Sequence, residues 1–160
     1  MMILVEGIDG SGKSVLTKQL YEKGYAIQKV LLHQKFNYHK AANYCYQGDI
    51  TLIEDRSPIT DIVYRIFDNG VADREENIDD VLDWINCFGV KVIYCKNNSS
   101  YKDAQIRGED TIKNYADHEK VSTIYDTVMG IINRSYPNNI FEYDWHRHSI
   151  QDIIKFIEQE

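Results

Sequence analysis

The chain has 160 residues, 43% of them hydrophobic and 27% charged, with a formal net charge of −7. That length supports one domain with a core of its own, and the acidic balance argues against a nucleic-acid partner, which requires a basic footprint. No apolar run reaches the about 20 residues of a membrane span, and "MMILVE" lacks the layout of a signal peptide, so a cytoplasmic setting without a membrane partner is expected.

Taken in order, the elements alternate. "MILVE" (2–6) is apolar on both faces, as a buried parallel strand is, and stops at a glycine-rich loop. A helix is expected from Gly12 to about Lys23, with Val15, Leu16 and Leu20 on one side. "YAIQKVLL" (25–32) reads as a second strand, and the polar, aromatic stretch "HQKFNYHKAANYCYQG" (33–48) as a helix ended by Gly48. "DITLIED" (49–55) is a third strand. Ser57 and Pro58 then supply an N-cap and a first-turn proline for a helix carrying Ile59, Ile62, Val63, Ile66 and Phe67. Ile78, Val81, Leu82 and Ile85 mark another helix, whose acidic lead-in "DREENIDD" suits its positive end. "VKVIYC" (90–95) is a fourth strand. Residues 96–110 have no steady period and read as a loop. A long helix with Val121, Tyr125, Val128 and Ile132 in its stripe follows, then a fifth strand "NIFEYD" (139–144) and a last helix from about Ser149. Strand–helix alternation of this kind predicts an α/β fold with a parallel sheet covered on both faces. Cys45, Cys87 and Cys95 fit neither a disulfide framework nor a zinc site and are expected as free thiols in or near the core.

Gly7 to Ser14, within "EGIDGSGKS", matches G-x-x-x-x-G-K-[ST] between a strand and a helix. Glycines let backbone N–H groups turn inward as an anion nest, and the helix that follows presents its positive end. Lys13 suits the β- and γ-phosphates of a nucleoside triphosphate, and Ser14 a Mg²⁺ ion. Asp9 is the anomaly, a carboxylate inside a polyanion cradle. At the end of the third strand, "TLIEDRSP" brings Glu54, Asp55 and Arg56 to the same ligand edge. Asp55 suits a shared metal site, and the planar fork of Arg56 suits a phosphate. A hydrolase orients water at such a place, whereas a kinase grips an acceptor; the Asp–Arg pair favours the kinase.

These motifs resemble those of the thymidylate kinase-like group of P-loop nucleoside and nucleotide kinases. "EGIDGSGKS" is similar to their loop, including the acid at Asp9. "EDRSPITDIVY" resembles both their Asp-Arg segment and the Glu-Arg-Ser segment of deoxynucleoside kinases. "RGED" (107–110) resembles their arginine-bearing lid. The chain is shorter than typical thymidylate kinases, as a compact phage-type form would be. The resemblance implies a P-loop kinase fold over residues 1–160, with a five-stranded parallel sheet and a lid at about 96–110. It implies ATP as donor, bound by Gly7, Gly10, Ser11, Gly12, Lys13, Ser14 and Val15, with Mg²⁺ at Ser14 and Asp55. It further implies that Asp9 faces the acceptor sugar, that Arg56 holds the acceptor phosphate, and that Arg107 closes over the transferring group. Lys13, Asp55, Arg56 and Arg107 are then the catalytic set.

For the acceptor base, Phe36, Tyr38, Tyr44 and Tyr46 offer stacking faces, and Asn37, Asn43 and Gln47 polar partners; an amphipathic helix packing its aromatics on the core fits the same stretch. Tyr64, off the Ile62/Ile66 stripe, and Arg65 beside it can also line the acceptor side. Arg147 lies in the loop that the family places beside adenine. Asp144, His146 and His148 are too few for a complete metal sphere. The expected reaction is phosphoryl transfer from ATP to a deoxynucleoside monophosphate. A deoxynucleoside kinase with Glu54 or Asp55 as base, and an ATP-binding switch without an acceptor, are the alternatives. The family often forms homodimers.

Overall fold

The computed structural model describes residues 1–29, 37–69, 77–96 and 114–159. Five strands form one parallel sheet: β1 (Met2–Glu6), β2 (Ala26–Lys29), β3 (Leu52–Asp55), β4 (Lys91–Cys95) and β5 (Ile140–Tyr143), in the order β2-β3-β1-β4-β5. The described helices are α1 (Lys13–Glu22), α2 (Tyr38–Gly48), α3 (Pro58–Asn69), α4 (Ile78–Phe88), α5 (Tyr115–Ser135) and α6 (Ile150–Glu158), with a short 3₁₀ turn at Pro137–Asn139 before β5.

The period of two along each strand divides the core into two layers. Ile3, Val5, Ile53, Ile93 and Cys95 face α1 and α6, meeting Leu16, Leu20, Ile153, Phe156 and Ile157. Met2, Leu4, Val92 and Tyr94 face the other way, towards α2, α3, α4 and α5. Both faces of β1 and β4 are therefore buried, as the apolar run of β1 predicts for that strand. Ends are set by caps. Asn37 Oδ1 accepts from the Lys40 N–H at 2.8 Å, so α2 starts at Tyr38 rather than at His33. Ser57 Oγ accepts from the Ile59 N–H at 3.2 Å and Pro58 occupies the first helical position of α3, the start that the sequence signals. Ser149 and Asp152 form a capping box on α6.

Two expectations change, and two fall partly outside the described residues. The third strand begins at Leu52, because Asp49 turns left-handed (φ 50°) to end α2. The second is described only as Ala26–Lys29, and positions 30–32 lie outside the described residues. Cys45 and Cys95 are buried free thiols, but Cys87 is exposed on the outer side of α4. The expected lid at 96–110, with Arg107, lies outside the described residues except for Lys96.

At the amino edge of β4 the buried Lys91 donates to the carbonyls of Phe156 (2.7 Å), Ile157 (3.2 Å) and Gln159. A lysine there satisfies the orphan carbonyls at the end of α6 and complements its negative pole. Among the described residues, no helix is long and apolar enough to cross a membrane.

Candidate active site

Strand order decides where chemistry collects. β1 lies between β3 and β4, so the loops leaving these three strands share one carboxyl edge. The glycine loop follows β1, Glu54 to Ser57 close β3, and Cys95 with Lys96 close β4.

Two glycines of the loop are obligatory. Gly7 has φ 145°, and a Cβ there would collide with the Cys95 carbonyl oxygen and lie 2.7 Å from Ser11 Oγ. Gly12 has φ 94° and caps α1, whose N-terminal N–H groups open onto the loop. Gly10 is also left-handed (φ 80°). Ser11 is buried, and its Oγ has no hydrogen-bond partner among the described residues. Lys13 folds back over the loop; its ammonium donates to the carbonyls of Gly7 and Ile8, the latter at 2.9 Å. Burial pulls this ammonium below the usual lysine range, while Asp9, Cys95, Glu6 and Asp55 around it act the other way. Ser14 and Val15 stand exposed on the first turn of α1.

On the neighbouring strand, Asp55 lies beside Val5 of β1 and is buried at the tip of β3, with Lys29 Nζ 4.0 Å away. Arg56 leaves the strand in a left-handed conformation, φ 73°. Its Nη2 lies 3.8 Å from Asp9 Oδ1, both side chains being partly exposed. Thus the anomalous acid of the glycine loop and the arginine after β3 face each other across the carboxyl edge. Tyr64 of α3 adjoins the pair: burial, then the Asp9 charge, pushes its phenol up, and Arg56 opposes.

Three functional neighbours were not singled out by sequence reasoning. Glu6, fully buried at the end of β1, accepts from the Ser57 N–H (Oε1, 2.8 Å) and the Thr60 hydroxyl (Oε2, 2.6 Å). Its carboxyl is pushed up to about 7, chiefly by burial. A charged residue at an inward strand position is the signal that marks it. His118 on α5 is buried and hydrogen-bonds the backbone of Asp9; burial holds it below the usual histidine range. Trp145, in the loop from β5 to α6, lies over the phosphate loop: a Cβ on Gly12 would sit 3.3 Å from its Cδ1. Its indole stacks on His146 at 3.7 Å.

Arg147 is on the same loop, mostly exposed, with Nε 3.6 Å from Asp144 Oδ2. His148 Nδ1 accepts from the Asp144 N–H at 3.0 Å and Asp144 Oδ1 accepts from the His146 N–H at 2.9 Å, so the acid and the histidines brace the turn. Tyr38, expected at the acceptor base, packs in the core and stacks on Trp84 at 6.0 Å. Its helical spacing explains this, since Tyr38, Ala42 and Cys45 form the inner stripe of α2 while Tyr44 and Tyr46 are exposed. Phe36 and Arg107 lie outside the described residues. Arg65 is buried, with its Nε donating to the Asp61 carbonyl at 3.1 Å. Lys96 pairs with Asp126 at 3.2 Å, and Asp126 also accepts from the Tyr94 hydroxyl at 2.9 Å.

Glu54 has a distinct environment. It lies beside Leu4 of β1 and Gln28 of β2, is fully buried, and neither carboxyl oxygen has a hydrogen-bond partner among the described residues. Burial pushes it up to about 7. The folded chain therefore keeps a proton that the unfolded chain has released once pH exceeds the ordinary carboxylate range, so stability falls as pH rises from about 4.5 to about 7. For a shift of that size the loss is about 3 kcal/mol. Glu54→Gln should melt at a higher temperature than wild type at pH 8, and the two should converge near pH 5; equal melting curves at both pH values would show that Glu54 is ionised without penalty.

No family model and no curated protein matches the chain. Solved structures match its fold along nearly its whole length. The YorR protein from Bacillus subtilis, in complex with phosphorylated GDP, superposes with a TM-score of 0.67 at 23% identity, over 99% of this chain and 96% of that one. Deoxyadenosine kinase from M. mycoides with bound dCTP gives a TM-score of 0.64 at 17% identity, over 98% of both chains. The same kinase with products dCMP and a flexible dCDP bound gives 0.61 at 18% identity, over 98% of this chain and 96% of that one. The fold is therefore the one that these structures share: a five-stranded parallel sheet with helices on both sides.

Proposed function

We propose that the chain transfers the γ-phosphoryl group of ATP to the phosphate of a deoxynucleoside monophosphate, dTMP-like in its acceptor, and releases ADP and the diphosphate. The observation that carries this reading is the Asp9–Arg56 pair at 3.8 Å, which sets a cation and a carboxylate beside the glycine loop of Lys13. An acceptor phosphate oxygen attacks the γ-phosphorus, and the bond to the β,γ-bridging oxygen breaks. Little covalent work falls to the protein in such a transfer; alignment and charge neutralisation dominate. The loop amides and Lys13 hold the donor phosphates once the Lys13 ammonium turns from the Gly7 and Ile8 carbonyls. Arg56 grips the acceptor phosphate, Asp9 takes the sugar hydroxyl, and Tyr64 borders them. Closing over the transferring group is the role that the resemblance gives to Arg107, which lies outside the described residues. Ser14 and Asp55 provide the hard oxygen donors that Mg²⁺ takes, and the ion would neutralise charge on the donor phosphates.

Trp145 is the side chain best placed for the ATP base, since it covers the end of the loop where α1 begins; Arg147, braced by Asp144, flanks it. Base stacking on an aromatic ring is worth about 1–3 kcal/mol. Trp145→Ala should raise the KM for ATP about tenfold and leave the acceptor KM within about twofold, both read from steady-state kinetics. A matched rise in both would assign Trp145 to the loop's structure instead.

A second reading, phosphorylation of a deoxynucleoside 5′-hydroxyl, is favoured by the likeness to a deoxyadenosine kinase. The first test is ADP release from ATP and Mg²⁺ with no acceptor, with each deoxynucleoside, and with each deoxynucleoside monophosphate. Acceptor-dependent release supports small-molecule phosphoryl transfer. Release that no acceptor stimulates would leave an ATPase or switch.

A further inference from the structure

We infer that Glu6 is a positioning residue that locks the left-handed turn at Arg56 to the phosphate loop, so that donor cradle and acceptor clamp hold one fixed geometry. This inference rests on the reading of Arg56 as the acceptor clamp. A bulky residue at φ 73° is strained and persists only where its surroundings over-determine it. Here the next residue supplies the constraint. The Ser57 N–H, pinned at 2.8 Å by Glu6 Oε1, is the first backbone donor after Arg56 and belongs to the N-cap of α3. Glu6 Oε2 takes the Thr60 hydroxyl at 2.6 Å, one turn into the same helix. Tyr125 of α5 closes the set, its hydroxyl 3.2 Å from Thr60 Oγ1 and 3.5 Å from Glu6 Oε2. Glu6 immediately precedes Gly7, so one carboxyl ties the first residue of the phosphate loop to the turn that aims Arg56 at Asp9. A water-exposed anchor would be worth little; this one is fully buried, where a hydrogen bond to a carboxylate is strong and its loss leaves a desolvated N–H.

The test compares wild type with Glu6→Ala, Glu6→Gln and Thr60→Val. Dissociation constants for Mg²⁺-ADP and dTMP are measured by calorimetry, and backbone exchange at Ser57 by hydrogen–deuterium exchange. Glu6→Ala should weaken dTMP on the order of tenfold and Mg²⁺-ADP by less than about threefold. Glu6→Gln, which keeps an oxygen for the Ser57 N–H, should restore dTMP binding to within about threefold of wild type, with Thr60→Val between the two. Equal weakening of both ligands, or none, would overturn the inference. If wild type binds ADP but no monophosphate, the acceptor reading fails, and the lock is judged on exchange: faster exchange at Ser57 in Glu6→Ala but not in Glu6→Gln supports it, and unchanged exchange overturns it. Should Glu6→Ala not fold, Thr60→Val against Glu6→Gln gives the same comparison.

Discussion

Lys13→Ala should lower ATP turnover by at least 10²–10³-fold, the loss expected when a cation aimed at transferring charge is removed. Its melting temperature should change little. The reason lies in what the ammonium touches. Among the described residues its hydrogen bonds go to carbonyls of its own loop, Gly7 and Ile8. The loop's course is set elsewhere, by Gly7 packed against the end of β4 and by Gly12 capping α1. Burial already disfavours the charge on Lys13, and the acids around it keep that charge in place. Donor phosphates would supply a stronger partner than backbone carbonyls do. Substantial turnover in a folded Lys13→Ala protein would refute the chemistry assigned to the loop.

Arg56 gives the second large effect, and its backbone makes the test selective. Arg56→Ala removes the guanidinium and leaves a left-handed residue at φ 73°, so it should cost about 10²-fold or more with a monophosphate acceptor while the strain remains. Arg56→Gly removes the same guanidinium and relieves the strain, because glycine adopts positive φ without a Cβ clash. It should be as inactive as the alanine variant yet melt at or above the wild-type temperature. That pairing is expected where activity retains a residue that stability would not choose. The readouts are acceptor-dependent ADP release and thermal melting. Wild-type activity in either variant would remove Arg56 from the acceptor site.

Much of the fold was legible because the signals were local. The apolar run of β1 announced a buried parallel strand, and Ser57-Pro58 and Ser149 announced helix starts. The glycine loop was legible because its spacing is itself the geometry. Less legible was whatever depends on residues distant in sequence. Glu6 gains its role only when α3 packs on α5 and brings Thr60 to Tyr125, 65 positions away. The left-handed backbone at Arg56 has no sequence mark, since arginine is not a residue that favours positive φ. Tyr38 fits a core as well as a base pocket, because an aromatic on an amphipathic helix serves either, and only the packing of α2 puts it on the inner stripe. In "DWHRH" the arginine drew the assignment, whereas Trp145 is the residue that lies over Gly12.

Asp9 now has a neighbour that explains a carboxylate inside a phosphate cradle. It faces Arg56, and its backbone is held by His118. The central claim is that the side where Asp9 faces Arg56 receives a nucleotide already bearing a phosphate. Mass spectrometry of the products formed from ATP with dTMP and, separately, with thymidine tests it most directly. The expected products are dTDP from dTMP, in step with ADP release, and little or no dTMP from thymidine. Phosphorylation of thymidine or another deoxynucleoside at its 5′-hydroxyl, with dTMP and the other monophosphates left unphosphorylated, would contradict it.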